Sequence, residues 1–142
     1  MTKVSVETEV RPSEVRDKVL KAVSNFFDHE ELREETKGLG VSLIAEASSL
    51  RSLIKLHSAL RQQRILDAAR KHMLNGRTAN TVSFMLHKQA AAVGKLSFVD
   101  VESESPCGPI RVFILHDNPT GVIEWLAPKT SRGVPIREIP MP

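Results

Sequence analysis

The twenty residues from Thr81 to Asp100 constrain the fold of this chain more than any other stretch. Between Thr81 and His87 every second residue is apolar, which is the period of a strand with one buried face. Lys88 to Val93 is rich in Ala and Gln and favours a short helix that Gly94 can end. Leu96 to Val99 is again extended in character. A strand, a helix and a strand in such close succession predict a mixed fold.

Four further segments have strand character. Lys3 to Val10 and Val41 to Ala47 alternate in the same way and predict strands with one wet face. Leu32 to Lys37 is charged throughout, which favours a short strand at the edge of a sheet. Ile110 to Leu115 is apolar on both faces, so we expect this last strand to be central.

The helices follow from apolar residues at spacings of three and four. Ser13 is a plausible N-cap for a helix from Val15 to about Asp28, and an Asn-Pro pair begins a short helix from Pro119 to Leu126. Between Ser48 and Asn75 two apolar stripes point in different directions. One straight helix cannot bury both stripes, so we expect a break or bend near Arg61–Gln63.

These elements predict a single α+β domain over residues 1–128, with one mainly antiparallel curved sheet and helices packed on one face. Residues 129–142 are rich in proline and predict a C-terminal tail. No apolar run approaches the ~18 residues of a membrane span, and the N-terminus lacks the apolar core of a signal peptide. With a single cysteine, which excludes an internal disulfide, we expect a cytoplasmic protein that does not enter a membrane.

Charge is distributed unevenly along the chain. Residues 1–47 carry a net charge of −3, and residues 100–142 carry −2. Residues 48–99 contain nine basic residues and one acidic residue, Asp67, which gives +8. A basic middle between acidic ends could attract a polyanion, or could complement an acidic surface on a second copy of the chain.

The basic middle supplies the candidate site. Contact with phosphate requires long cationic side chains and little else, and each contact releases counterions. The candidate phosphate-binding residues are Arg61, Arg64, Arg70, Lys71, Arg77, Lys88 and Lys95. The alternative is an ordinary solvated salt-bridge face, because Arg64, Asp67 and Lys71 lie at helical spacings of three and four. With no Tyr, one Trp and five Phe, platforms for stacking bases are few.

Catalytic and metal sites have little support in the sequence. Cys107 with His87 or His116 could form a nucleophile and a base, but no local motif supplies an oxyanion hole or a nucleophile turn. The five histidines share no metal-ligand spacing. We therefore predict no catalytic residue, metal, cofactor or small-molecule substrate, and interpret Cys107 as a small residue in a tight loop.

Four strings carry a family resemblance: FMLHKQAAAVGKLSFVD, ESPCGPI, QRILDAARK and NPTGVIEWLAP. Together they resemble an archaeal family catalogued as uncharacterised protein family 0201, over nearly the whole chain. The resemblance implies a fold similar to that of the large-subunit ribosomal protein that binds 5S rRNA, and a dimeric assembly. An RNA-associated role has been suggested for such proteins, and the resemblance brings no catalytic residues.

Two functional hypotheses follow. The first is a non-enzymatic RNA-associated protein whose basic region binds the phosphate backbone of a structured RNA. The alternative is a homodimeric protein-interaction module that keeps the fold of an RNA binder without binding RNA. A small hydrolase or transferase is disfavoured, because the sequence has neither paired catalytic carboxylates nor a nucleophile motif.

Overall fold

The alternating segments form one six-stranded sheet in the computed structural model, which describes residues 1–142. The strands in chain order are β1 (Lys3–Val10), β2 (Glu31–Lys37), β3 (Gly40–Ala47), β4 (Thr81–Leu86), β5 (Phe98–Val99) and β6 (Ile110–Leu115). Their order across the sheet is β2-β3-β1-β6-β4-β5, and every neighbouring pair is antiparallel. The predicted α+β class with an antiparallel sheet is confirmed.

Five helices accompany the sheet. They are α1 (Arg16–Ser24), α2 (Ile54–Gln62), α3 (Leu66–Asn75), α4 (Lys88–Ala92) and α5 (Pro119–Leu126), with 3₁₀ turns at Leu50–Leu53 and Glu102–Glu104. Along β1 every second side chain is buried, from Val4 to Val10, and the intervening side chains remain partly exposed. This pattern places the core between the helices and one face of the sheet, and leaves the other face uncovered.

The positions of the strands follow their apolar content. β6 lies between β1 and β4, so the prediction of a central strand is confirmed. β2 is confirmed at the edge, and its side chains are exposed apart from Leu32, which is half-buried. One detail differs, because Phe113 of β6 points to the uncovered face and is 44% exposed.

The predicted break in the second helical segment is confirmed. α2 ends at Gln62 and α3 begins at Leu66, and Arg64 between them has a left-handed φ of 55°. Each helix buries its own stripe, centred on Leu60 in α2 and on Met73 in α3. A change of direction at a left-handed residue lets both stripes reach one core.

Two local predictions are wrong. Ser13 does not cap α1, whose N-cap is Val15 with no side-chain bond. Instead Glu14 accepts a hydrogen bond from the backbone N–H of Arg11, which closes a turn before the helix. The second extended segment begins only at Phe98, since the N–H of Leu96 donates to a glutamine side chain on the α2–α3 connection.

The C-terminal region begins where α5 ends. Asn118 caps α5 as the sequence predicts, with its Oδ1 accepting from the N–H of Gly121 at 3.0 Å. Beyond α5 the chain forms a two-stranded hairpin of β7 (Thr130–Ser131) and β8 (Val134–Pro135). No helix of the chain has both the length and the apolar character needed to cross a membrane.

Two glycines are required for different reasons. Gly76 follows α3 so closely against β4 that a Cβ would lie 1.8 Å from the carbonyl oxygen of Ser83. Gly94 ends α4 with a φ of +82°, and a Cβ there would meet no atom within 4 Å. Glycine is therefore required at position 94 only because of the positive φ, and not because of a lack of space.

We expect Gly94→Val to lower the free energy of unfolding by more than about 1 kcal/mol, because a β-branched residue is strained at positive φ. The measurement is urea denaturation. Gly94→Asn is the matched control and should cost less, since Asn tolerates the left-handed region. Equal stability of Gly94→Val and the wild type would show that the glycine is incidental.

Candidate nucleic-acid interface

The structure divides the seven candidate cations into two groups. Three are largely buried, with side-chain exposures of 19%, 17% and 2%, and each is paired with a carboxylate: Arg61, Arg70 and Lys88. The other four are exposed and none has a carboxylate partner within ion-pair distance: Arg64, Lys71, Arg77 and Lys95. Burial decides which of the cations a phosphate can reach.

Arg61 uses its whole guanidinium inside the chain. Its five N–H donors meet the carbonyl oxygens of His57, Trp125 and Leu126 and both carboxylate oxygens of Glu138, at 2.6 to 3.2 Å. These bonds hold the pKa of Glu138 below its ordinary value. No donor remains for a phosphate, so this candidate is corrected to a structural role that ties α2 to the end of α5 and to the C-terminal region.

His57 contributes to the same junction. Its ring stacks on Trp125, with centroids 5.1 Å apart and planes inclined by 25°. Burial lowers the pKa of His57, and the neighbouring Arg61 charge lowers it further. This geometry makes His57 a half-buried packing residue.

Arg70 binds the same helix end from α3. Its Nη1 donates to the carbonyl oxygen of Ala127 at 3.0 Å, and its Nη2 donates to Glu124 at 2.8 Å. The hydrogen bond from Arg70 lowers the pKa of Glu124. Cations at a helix C-terminus satisfy unpaired carbonyls and favour the helix dipole. Arg70 is thus also corrected from a phosphate ligand to a structural residue.

Lys88 is the most deeply buried of the three. Its Nζ donates to the carbonyl oxygens of Glu9 and Cys107 at 2.7 and 2.6 Å and to the Glu14 carboxylate at 2.9 Å. An ammonium has three donors, and all three are used. The backbone N–H of Lys88 donates to Ser105. Lys88 therefore fixes the loop before β6 and is not a phosphate ligand.

Two exposed cations meet at one corner. Arg64 occupies the connection between α2 and α3, and Lys95 lies in the loop between α4 and β5. Gln63 joins the two segments, since its Nε2 donates to the carbonyl oxygen of Gly94 at 3.0 Å and its Oε1 accepts from the N–H of Leu96 at 2.8 Å. The glutamine thus holds the backbones that carry both cations.

The remaining two exposed cations follow α3. Lys71 lies on the helix and Arg77 just after it, where its Nη1 donates to Thr120 at 3.1 Å. Asp67 accepts a bond from Thr130 and pairs with neither Arg64 nor Lys71, so the alternative salt-bridge face does not form. α3 is about 15 Å long, and Arg64 and Arg77 lie just beyond its two ends. We call Arg64, Lys71, Arg77 and Lys95 the α3 cation set.

Base stacking has one candidate. Among the aromatic side chains only Phe113 is strongly exposed, at 44%, on the uncovered face of the sheet. Ser5 and Ser83 face it across the neighbouring strands. The sequence did not single out Phe113, because an apolar residue on a central strand gives no sign of which face of the sheet is covered.

The proposed thiol–imidazole pair does not form. The Nδ1 atom of His87 accepts a hydrogen bond from the backbone N–H of Ala90 at 3.1 Å. The Nδ1 atom of His116 accepts one from the backbone N–H of Asn118 at 2.8 Å. Cys107 has a left-handed φ of 64° and contributes its carbonyl oxygen to Lys88, while its thiol makes no hydrogen bond to either ring. The interpretation of Cys107 as a loop residue agrees with this geometry.

Comparison with known proteins gives the family. A family model described as RNA binding matches residues 3–115. A UPF0201 protein of Sulfolobus acidocaldarius is 54% identical over 142 residues, which cover 100% of this chain and 98% of the relative. A UPF0201 protein of Saccharolobus solfataricus is 53% identical with the same coverage. The chain belongs to the UPF0201 family.

Solved structures show the same fold for UPF0201 proteins. The 2.2 Å crystal structure of the UPF0201 protein from Methanococcus jannaschii matches with a TM-score of 0.83 and 36% identity, covering 95% of this chain and 99% of that one. A DUF54 protein from Methanothermobacter thermautotrophicus matches with a TM-score of 0.60 and 18% identity, over 81% of this chain and 84% of that one. The second likeness is one of fold alone.

The buried lysine gives a prediction for this UPF0201 protein. We expect Lys88→Met to lower the free energy of unfolding by about 3 kcal/mol or more, because Glu14 and two carbonyl oxygens lose their donor while buried. Lys95→Met is the matched control and should change stability by less than about 0.5 kcal/mol. Urea denaturation of both variants measures the difference, and equal effects would contradict the assignment of Lys88.

The depressed pKa of Glu124 gives a pH-dependent prediction. Its contribution to stability is complete above the unfolded-state pKa and is lost as pH falls through the lower folded-state pKa. Glu124→Gln should therefore cost about 1 kcal/mol at neutral pH and less at about pH 3, which lies below the unfolded-state pKa of about 4.3. Unfolding free energies at both pH values measure this. Glu7→Gln is the control. Glu7 is partly exposed and has no ion pair, so the effect of this substitution on the unfolding free energy should be the same at both pH values.

Proposed function

We propose that this chain is a non-enzymatic RNA-associated protein that binds the phosphate backbone through the α3 cation set. The observation that carries the proposal is the exposure of Arg64, Lys71, Arg77 and Lys95 without any carboxylate partner. Ten of the twenty Lys and Arg residues are paired with acids, whereas these four unpaired cations lie on α3, just beyond its two ends and in the neighbouring loop before β5. The family model described as RNA binding supports the same function.

The chemistry of the surface indicates the class of RNA. Long, exposed cations bind phosphates whatever the base sequence, and their spacing selects the shape of the backbone. Phe113 alone offers a stacking surface, so binding of single strands by successive base stacking has little support. The expected partner is a structured RNA recognised by charge and shape.

A second candidate function is the homodimeric protein-interaction module. The exposed edge of β2 favours it, because an edge strand can pair with another chain. In this case the α3 cation set would face solvent or the acidic surface of another copy. RNA binding is then the property that separates the two candidates.

The test replaces all four residues of the α3 cation set with Gln. Affinity for a folded RNA hairpin should fall for every sequence tested, and the log–log salt slope should shrink by about 0.7–0.9 for each phosphate that the variant no longer neutralises. Stability should hardly change, since the four side chains are exposed. A filter-binding titration at several salt concentrations measures both affinity and slope.

The matched control removes the same charge elsewhere. Lys18, Lys21, Arg132 and Arg137 are also exposed and without carboxylate partners, and they lie in α1 and near the C-terminus. Replacing these four with Gln should leave most of the affinity intact. Equal losses of RNA affinity in both quadruple variants would show that net charge, and not the α3 cation set, determines binding. Absence of RNA binding by the wild type at about 50 mM salt would contradict the RNA proposal.

A further inference from the structure

The edge strand β2 is open over its whole length. It ends the sheet, and its seven residues pair only with β3, from Glu31 opposite Glu46 to Lys37 opposite Gly40. A two-residue turn with Gly38 at a φ of +60° joins the two strands. The opposite edge is different, because β5 has two residues and Arg77 bridges to Val82 further along β4.

The hairpin fixes which backbone groups are free. In a two-residue hairpin the residues that flank the turn form a hydrogen-bonded pair, so Lys37 points its backbone groups at β3, as do the residues at every second position before it. Leu32, Glu34 and Thr36 therefore direct their N–H and C=O groups away from the sheet. Without a neighbouring strand these groups form a template for another strand.

The side chains of β2 are complementary to themselves. When the strand is paired with an antiparallel copy about Glu34, Glu31 lies opposite Lys37 and Arg33 lies opposite Glu35. All four positions on the uncovered face of the sheet then meet the opposite charge. Opposite charges directly across a strand pair are stabilising, and like charges are destabilising.

We propose that two copies of this chain join by antiparallel pairing of β2 with the partner's β2, with Glu34 at the two-fold axis. In this register the residues with free backbone groups form the hydrogen-bonded pairs, which gives about six backbone hydrogen bonds. The charged residues on the uncovered face occupy the non-hydrogen-bonded pairs, where side chains lie closer together. The backbone pattern and the charge pattern thus select the same register independently.

The surroundings of β2 fit this pairing. Glu31 has no ion-pair partner within its own chain, and pairing places opposite it the partner's Lys37, a residue that within one chain also pairs with Glu9 at 3.2 Å. Glu34 would meet its own copy at the axis, but each Glu34 is already paired with Arg16 of α1. Leu20 and Leu32 are only partly buried beside this edge and would gain cover from the second copy.

The assembly would be a closed dimer. Pairing of β2 with itself is an isologous contact that uses the edge on both copies. The short opposite edge at β5 offers no comparable strand for further addition. The interaction therefore ends at two copies and does not lead to fibres.

The decisive experiment reverses one charge in each of two variants, Arg33→Glu and Glu35→Arg. Each variant alone would place two like-charge pairs across the interface, so self-association should weaken at least about tenfold. In an equimolar mixture every such pair is opposite in charge, so the mixed dimer should form at least as tightly as the wild type. Sedimentation equilibrium measures both, and melting curves establish that each variant is folded.

A covalent probe tests the register without relying on charge. In a Cys107→Ser background, Glu34→Cys should form an interchain disulfide on mild oxidation, because facing residues at the axis lie about 5.5 Å apart at Cα. Glu31→Cys is the control and should not, since in this register position 31 faces Lys37 and the two introduced thiols lie far apart along the paired strands. A wild type that stays monomeric at about 100 µM overturns the proposal. A dimer whose affinity is unchanged by both charge reversals and that does not cross-link at position 34 overturns it as well.

Discussion

The arrangement at one end of the sheet depends on the buried ammonium of Lys88. Burying a charge is costly unless its donors are all satisfied, and here the three acceptors come from the end of β1, the turn before α1 and the loop before β6. Ser105 adds a further connection, accepting from the N–H of Lys88 and donating to the carbonyl oxygen of Gly108. Three segments distant in sequence, residues 9–14, the start of α4 and the loop before β6, are thereby fixed relative to one another. The left-handed backbone at Cys107 and Gly108 brings the Cys107 carbonyl oxygen to the ammonium.

The same principle operates at the other end of the core. Arg61 and Arg70 supply donors to three consecutive carbonyl oxygens at the end of α5, from Trp125 to Ala127. Helix ends leave carbonyl oxygens without partners, and a buried end needs donors from elsewhere. Three of the nine positive charges in the middle of the chain therefore serve the core. Only the α3 cation set and Arg51 remain exposed there without a carboxylate, which is why the functional surface is smaller than the charge of the segment indicates.

The sequence predicted the elements better than it predicted the site. Alternation identified the long strands, and two divergent apolar stripes located the break that Arg64 makes. Periodicity could not predict which cations are buried and paired and which are exposed. Burial of Lys88, for example, depends on Glu14, which is 74 positions away along the chain. A helical wheel reports spacing within one helix, whereas Arg61 and Arg70 are engaged by groups on α5. The failure of Ser13 as a cap has the same origin, since the turn before α1 uses Glu14 instead.

The two proposed interactions use different edges of the sheet and reinforce each other. α3 packs against β4 and β5, whereas β2 lies at the opposite edge. Pairing through β2 would build a continuous sheet with an α3 cation set toward each outer end. An RNA long enough to reach both sets would bind the second one at a high effective concentration, and its apparent affinity would exceed that of a single set by far more than twofold. A weak phosphate-binding surface on each copy is then sufficient for tight binding by the pair, and its strength would depend on the length of the RNA and on the integrity of the β2 edge.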